Sequence, residues 1–198
     1  MIMQVILLRH GQTEWNVLQK YQGHTDIDLN DYGRQQAQRV ADYLRENETI
    51  EAIYCSDLSR GRETAEIIGR VLKLPVQGDV RWRELSFGRW EGLTYSEVYQ
   101  QYPQEYDSWF KNTRQMQVPG GESFDDVLAR SLPALYELAD LHEGTVLVVS
   151  HGGLIKTILN HLHGEDMWDI YLEPGSMSFL EWDGEQFITK KIGLKLDS

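Results

Sequence analysis

The chain has 198 residues, 41% of them hydrophobic and 11% aromatic, with a formal net charge of −12 from 19 Lys and Arg against 31 Asp and Glu. That is enough apolar material for one domain with a full core, and it excludes a globally disordered chain. The acidic balance argues against general nucleic-acid binding and against adhesion to anionic membranes, though not against a small anionic ligand held by a local basic pocket.

In chain order, the apolar run Gln4–Leu8 predicts a first strand. A helix should follow from Asn30 or Asp31 as cap to Glu46, with Ala37, Val40, Ala41 and Leu44 on one face. Ile50–Cys55 predicts a second strand and Arg60–Leu72 a second helix, whose apolar face carries Ala65, Ile68, Val71 and Leu72. The stretch Arg89–Gly121 is polar, aromatic-rich and irregular, and reads as a lid-like insertion. Ser123 and Asp126 have capping-box spacing at the start of a helix to Leu141, with a kink expected at Pro133. Thr145–Ser150 predicts a third strand and Gly152–Leu162 the last helix; Ser178–Trp182 and Phe187–Ile192 form a hairpin turning at Asp183-Gly184. The first three strands are almost continuously apolar, as in strands covered on both faces. The alternation predicts an α/β fold in one domain, residues 1–198, with a mostly parallel sheet and helices on both sides.

The single cysteine, Cys55, rules out an intramolecular disulfide and a zinc site built from several thiolates. Arg9 and His10 cut off the apolar start, no small-residue cleavage signature follows, and no apolar run approaches membrane-spanning length. A cytoplasmic protein, monomer or homodimer, with no membrane or nucleic-acid partner is expected.

In a parallel α/β sheet, ligands bind at the carboxyl ends of the strands. Arg9-His10-Gly11 follows the first strand, Ser56-Asp57-Leu58-Ser59-Arg60 the second, and His151-Gly152-Gly153 the third. Three strand ends therefore bring Arg, His, Arg and His to one edge, two of them at helix N-termini that favour an anion. One such residue would be read as an ordinary polar contact. Four at equivalent positions point to a compact anion, with phosphate as the best candidate.

The run Leu8-Arg9-His10-Gly11-Gln12-Thr13-Glu14-Trp15-Asn16 is followed by Tyr21-Gln22-Gly23-His24-Thr25-Asp26, then Ser56-Asp57-Leu58-Ser59-Arg60. Arg83-Glu84-Leu85 with Gly88-Arg89-Trp90-Glu91-Gly92, Pro119-Gly120-Gly121-Glu122-Ser123 and Ser150-His151-Gly152 complete the series. In this order the motifs resemble the histidine phosphatase superfamily, in its phosphoglycerate-mutase-like branch. The resemblance implies a three-layer α/β/α sandwich with an antiparallel edge. It implies His10 as the nucleophile that takes up the phosphoryl group, Arg9, Arg60 and His151 as its clamp, and Glu84 as general acid. Asn16, Gln22, Gly23 and the Gly152 amide would contact the substrate. Arg62 is either a further contact or an exposed helix charge. The resemblance calls for no metal and no cofactor, and implies a phosphatase for a small phosphorylated metabolite, either broad in specificity or acting on α-ribazole 5′-phosphate. A phosphoglycerate mutase is the alternative, and a non-catalytic phospho-ligand binder ranks lower. Gly61 and Glu63 depart from the usual family pattern, which holds Ala and Gln there.

Other chemistries fit less well. A cysteine phosphatase needs Cys-x5-Arg, and only four residues separate Cys55 from Arg60. There is no phosphate-binding Gly-x4-Gly-Lys loop, and Ser150 lacks the Gly-x-Ser-x-Gly elbow. His161-Leu162-His163 and Asp125-Asp126 lack convergent partners for a metal, and helix-end and cap roles suit them better.

Overall fold

A computed structural model of the chain describes residues 3–164 and 166–196. Its six strands are β1 (Gln4–Arg9), β2 (Ile50–Cys55), β3 (Val76–Gly78), β4 (Thr145–Ser150), β5 (Met177–Trp182) and β6 (Phe187–Leu194). They form one sheet in the order β3-β2-β4-β1-β5-β6. The first four are parallel, while β5 runs antiparallel to β1 and β6 antiparallel to β5. The helices are α1 (Glu14–Val17), α2 (Asp31–Asn47), α3 (Ser59–Leu72), α4 (Tyr95–Gln101), α5 (Pro103–Lys111), α6 (Phe124–Leu141) and α7 (Gly152–His163).

The period of two along β1 and β4 explains the three layers. Val5, Leu7, Val146 and Val148 pack with residues of α6 and α7, such as Val127, Leu135, Leu154 and Ile158. Ile6, Leu8, Leu147 and Val149 face the other way, against Val40 and Leu44 of α2 and Ala65 and Ile68 of α3. Burial on both faces is why these strands read as unbroken apolar runs. Asn30 caps α2 by accepting from the Gly33 amide, and Ser123 and Asp126 form the capping box of α6. The helix α6 continues through Pro133. Gly184 turns the β5–β6 hairpin at φ +106°, while Asp183 accepts from the Glu185 and Gln186 amides.

Two elements differ from expectation. The edge strand β3 is three residues long and follows Pro75, too short for any pattern to show. The insertion is not irregular: it holds α4 and α5. Thr94 and Glu97 form a capping box, Pro103 occupies the first turn of α5, and Val98, Tyr106 and Trp109 bury an apolar stripe around Trp90. These rings join the larger core, so the segment is packed onto the domain. Among the described residues no helix is long and apolar enough to cross a membrane.

Candidate active site

β1 and β4 are parallel neighbours in register, with Arg9 opposite Ser150. The next residue on each chain is therefore a histidine at the same sheet edge. The His10 amide donates to the Ser150 carbonyl at 2.9 Å, and the two imidazoles meet edge-on with centroids 5.0 Å apart. β2 leads into α3, whose first turn brings Arg60 to the same place.

His10 is 2% exposed. Its Nδ1 lies 2.7 Å from the Gly11 carbonyl, which can only accept, so Nδ1 carries the proton and Nε2 keeps a lone pair. Burial, then Arg60 and Arg9, hold its pKa well below the ordinary 6.5. His151 is fully buried and also held well below 6.5, by burial first and then by Arg60, His10 and Arg9. Both rings are neutral near pH 7.

The two arginines are anchored through part of each guanidinium only. Arg60 donates to the carbonyls of Thr25 (2.9 Å) and Gly23 (2.6 Å), and Arg9 to that of Leu172 (2.6 Å). Burial lowers both, Arg60 to about 10. Arg9 Nε, Arg60 Nε and both ring nitrogens of His151 are buried with no hydrogen-bond partner in the protein. A neutral imidazole carries one N–H, so the set offers three donors without a protein acceptor. The oxygens of a tetrahedral oxyanion are acceptors of the kind that match them.

Arg9, His10, Asn16, Gln22, Gly23, Arg60 and Glu84 line one cavity of about 130 Å³, with Lys20, Tyr21 and Phe87 on its walls. Asn16 Oδ1 accepts from the Thr13 amide at 2.9 Å, and Gln22 Oε1 accepts from the Thr13 hydroxyl at 2.9 Å. Both carboxamides are thereby oriented to offer their NH2 groups as donors. Gly23 has φ +54°, and a Cβ there would lie 2.0 Å from Glu91 Oε1, so glycine alone lets this loop pass under its carboxylate anchor. Glu91 accepts from the amides of His24, Thr25 and Phe87.

Glu84 reaches the N-terminus of α7. Its carboxylate accepts from the amides of Gly153 (3.0 Å), Leu154 (3.1 Å) and Leu85 (2.8 Å). A Cβ on Gly153 would sit 2.4 Å from Glu84 Oε1, which explains the second glycine after His151. Gly152 lies beside the Arg9 guanidinium.

Arg62 is not brought to this cavity. It is exposed, with its guanidinium against Gly78 at the end of β3. Two residues along an α-helix turn the side chain by about 200°, so with Arg60 inward Arg62 must point out. His161 and His163 close the last turn of α7, Asp126 caps α6, and Asp125 pairs with Arg114. Among the described residues no group of three or more His, Cys, Asp and Glu could hold a metal ion.

Sequence reasoning missed Arg130. From α6 it donates to the carbonyls of Arg81 (2.9 Å), Arg83 (2.8 Å) and Glu84 (2.8 Å) and to both oxygens of Glu122 (3.0 Å each). Glu122 in turn accepts from the Ser86 amide, and His24 Nε2 donates to the Glu84 carbonyl. The Glu84 loop is thus gripped on both sides. The signal, an arginine two helical turns past Glu122-Ser123, is legible only once α6 is known to pack on that loop. Arg130→Gln should cost about 2–3 kcal/mol of stability and lower kcat more than it raises KM. Thermal unfolding and steady-state kinetics check this; wild-type kcat in a destabilised variant would make Arg130 purely structural.

The neutral histidines also predict a pH dependence. In the unfolded chain both imidazoles protonate near 6.5, but in the fold only at lower pH. Unfolding therefore takes up protons below about pH 6.5, and stability falls as pH drops, with a limiting slope of about 2.7 kcal/mol per unit for two groups. Thermal unfolding from about pH 7.5 to 5, above the carboxylate range, should show that loss, and His151→Gln should roughly halve its slope. A flat profile would contradict the neutral assignment.

The family model described as histidine phosphatase superfamily (branch 1) matches residues 5–195. The chain is 42% identical over 158 residues to phosphoglycerate mutase-like protein 4 of Arabidopsis thaliana, covering 78% of this chain and 69% of that protein. It is 36% identical over 160 residues to a metal-independent phosphoserine phosphatase of the same plant, covering 79% and 67%. Among solved structures, a mycobacterial glucosyl-3-phosphoglycerate phosphatase in complex with VO3 superposes with a TM-score of 0.86 at 31% identity, over 96% of this chain and 98% of that one. With a family match over nearly its whole length, this chain belongs to the histidine phosphatase superfamily.

Proposed function

We propose that the chain hydrolyses small phosphomonoesters through a phosphohistidine on His10. The observation that carries the reading is a neutral imidazole, its Nε2 lone pair fixed by the Gly11 carbonyl, set among guanidinium and imidazole nitrogens that have no partner in the protein. Arg9, Arg60 and His151 hold the phosphoryl oxygens, whose negative charge is shared in the transition state. Nε2 attacks phosphorus as the ester P–O bond breaks. Glu84 gives its proton to the departing oxygen, so the alcohol leaves neutral. The new phosphoimidazole keeps its Nδ1 proton on the Gly11 carbonyl, which stabilises the positive ring. Glu84, now a carboxylate, takes a proton from water as water attacks phosphorus and the P–N bond breaks. Inorganic phosphate leaves and the starting imidazole is restored.

The similarity to phosphoserine and glucosyl-3-phosphoglycerate phosphatases supports a small phosphorylated metabolite as substrate. A mutase must also hold a bisphosphate, and the insertion's cations give that reading no support: Arg114 pairs with Asp125, and none of Arg89, Lys111 and Arg114 lines the His10 cavity. Turnover of p-nitrophenyl phosphate that survives EDTA, with no need of bisphosphate priming, is the expected result. Activity only after priming would favour the mutase, and phosphate binding without turnover would favour a binder.

A further inference from the structure

The guanidinium of Arg60 is fully buried, yet its two anchors in the protein are carbonyls, those of Gly23 and Thr25. A buried cation needs a counter-charge, and here it must act without direct contact. The carboxylates whose charge favours Arg60 are Glu84, Asp26 and Glu91. Glu84 serves the leaving group and the water. Asp26 is exposed and holds the amide and hydroxyl of Ser59 at the start of α3. Glu91 is joined to Arg60 through a single peptide group. The Gly23–His24 peptide gives its carbonyl to Arg60 at 2.6 Å and its N–H to Glu91 Oε1 at 2.9 Å. In a trans peptide these two groups point in opposite directions, so the peptide lies between guanidinium and carboxylate and is polarised by both.

The Glu91 carboxylate fixes more than that one peptide. Its Oε1 also accepts from the Phe87 amide at 3.1 Å, and its Oε2 from the Thr25 amide at 2.9 Å and from the Thr25 hydroxyl. Thr25 carries the second carbonyl that anchors Arg60, and Phe87 stands three residues after Glu84 on the same loop. Four donors converge on Glu91, the setting of an ionised carboxylate. A glutamine could not take its place, because in either orientation its NH2 group would face a backbone N–H. Glu91 does not itself line the cavity. We propose that Glu91 is a positioning residue for phosphoryl transfer. Through the Gly23–His24 peptide and Thr25 it sets the Arg60 guanidinium where the phosphoryl oxygens bind, and through Phe87 it ties that place to the Glu84 loop. This deepens the phosphatase reading above and rests on it.

The test is a double-mutant cycle of Glu91→Gln with Arg60→Ala. It is read as affinity for inorganic phosphate, from the rise in unfolding temperature, and as kcat/KM for p-nitrophenyl phosphate, whose leaving group needs no acid. With Arg60 present, Glu91→Gln should lower each by about 10- to 100-fold, the scale of one misplaced charge-assisted contact. In the Arg60→Ala background the same change should cost less than about threefold, because the group it places is gone. Equal losses in both backgrounds, or a lower unfolding temperature with phosphate affinity and kcat/KM intact, would make Glu91 merely structural and overturn the proposal. Should Glu91→Gln fail to fold, Thr25→Val in the same two backgrounds decides, since it removes one donor to Glu91 and keeps the Thr25 carbonyl. A loss of about 3- to 10-fold confined to the chain with Arg60 is then expected, and no loss, or the same loss without Arg60, overturns the assignment. A wild type that binds phosphate but fails to hydrolyse p-nitrophenyl phosphate overturns the phosphatase reading itself, and phosphate affinity alone then judges Glu91.

Discussion

Alanine at position 10 should abolish turnover, lowering kcat by on the order of 10⁵-fold, as loss of a covalent nucleophile does. The substitution removes the ring whose Nε2 lone pair is fixed by the Gly11 carbonyl while leaving Arg9, Arg60 and His151 unchanged. The variant should therefore still bind inorganic phosphate, detected as a rise in its unfolding temperature. Its stability cost should be modest. One carbonyl, that of Gly11, loses a donor, and one buried imidazole that resists protonation is gone. Cys55 offers no substitute nucleophile, because burial pushes its thiol up to about 12 and the thiolate is the reactive form. Residual activity within tenfold of wild type would place the chemistry elsewhere.

Glu84→Gln has the second large effect, and it depends on the leaving group. An alkoxide needs a proton as the P–O bond breaks, whereas nitrophenolate does not. Rapid mixing should show phosphoryl transfer from an alkyl phosphate slowed by about 10²–10⁴-fold, while the first-turnover burst from nitrophenyl phosphate falls less than about tenfold. Steady-state turnover of both should drop, because water then lacks its base. Glutamine can keep some contact with the α7 amides through its carbonyl oxygen, so the loop should hold and the loss should be chemical. Equal slowing of both bursts would take Glu84 out of the acid role.

These two residues were not equally legible in the sequence. His10 and His151 stand directly after strands whose apolar pattern is strong, and Arg60 opens the helix that follows a third, so topology sends them to one edge. Glu84 sits on a loop with no periodicity, in a chain rich in acidic residues, and only the motif resemblance separates it from Glu14, Glu91 and Glu122. The structure adds a geometric reason, the α7 amides that receive its carboxylate. Arg130 was illegible for a different cause. It acts across a contact between segments far apart in the chain, α6 on the Glu84 loop. The helices of the insertion escaped because aromatic residues serve equally in loops and cores, and helices of seven and nine residues are too short to display a period. Arg62 is the converse case, near Arg60 in sequence and turned away from it by the helix.

The most direct test is to quench Glu84→Gln within its first turnover of ³²P-labelled substrate and map the label. The account predicts phosphorus on His10 Nε2, labile in acid and stable in alkali, accumulating because hydrolysis is slow, and absent from His10→Ala. Label on another residue, or rapid release of nitrophenolate with no protein-bound phosphorus, would contradict it.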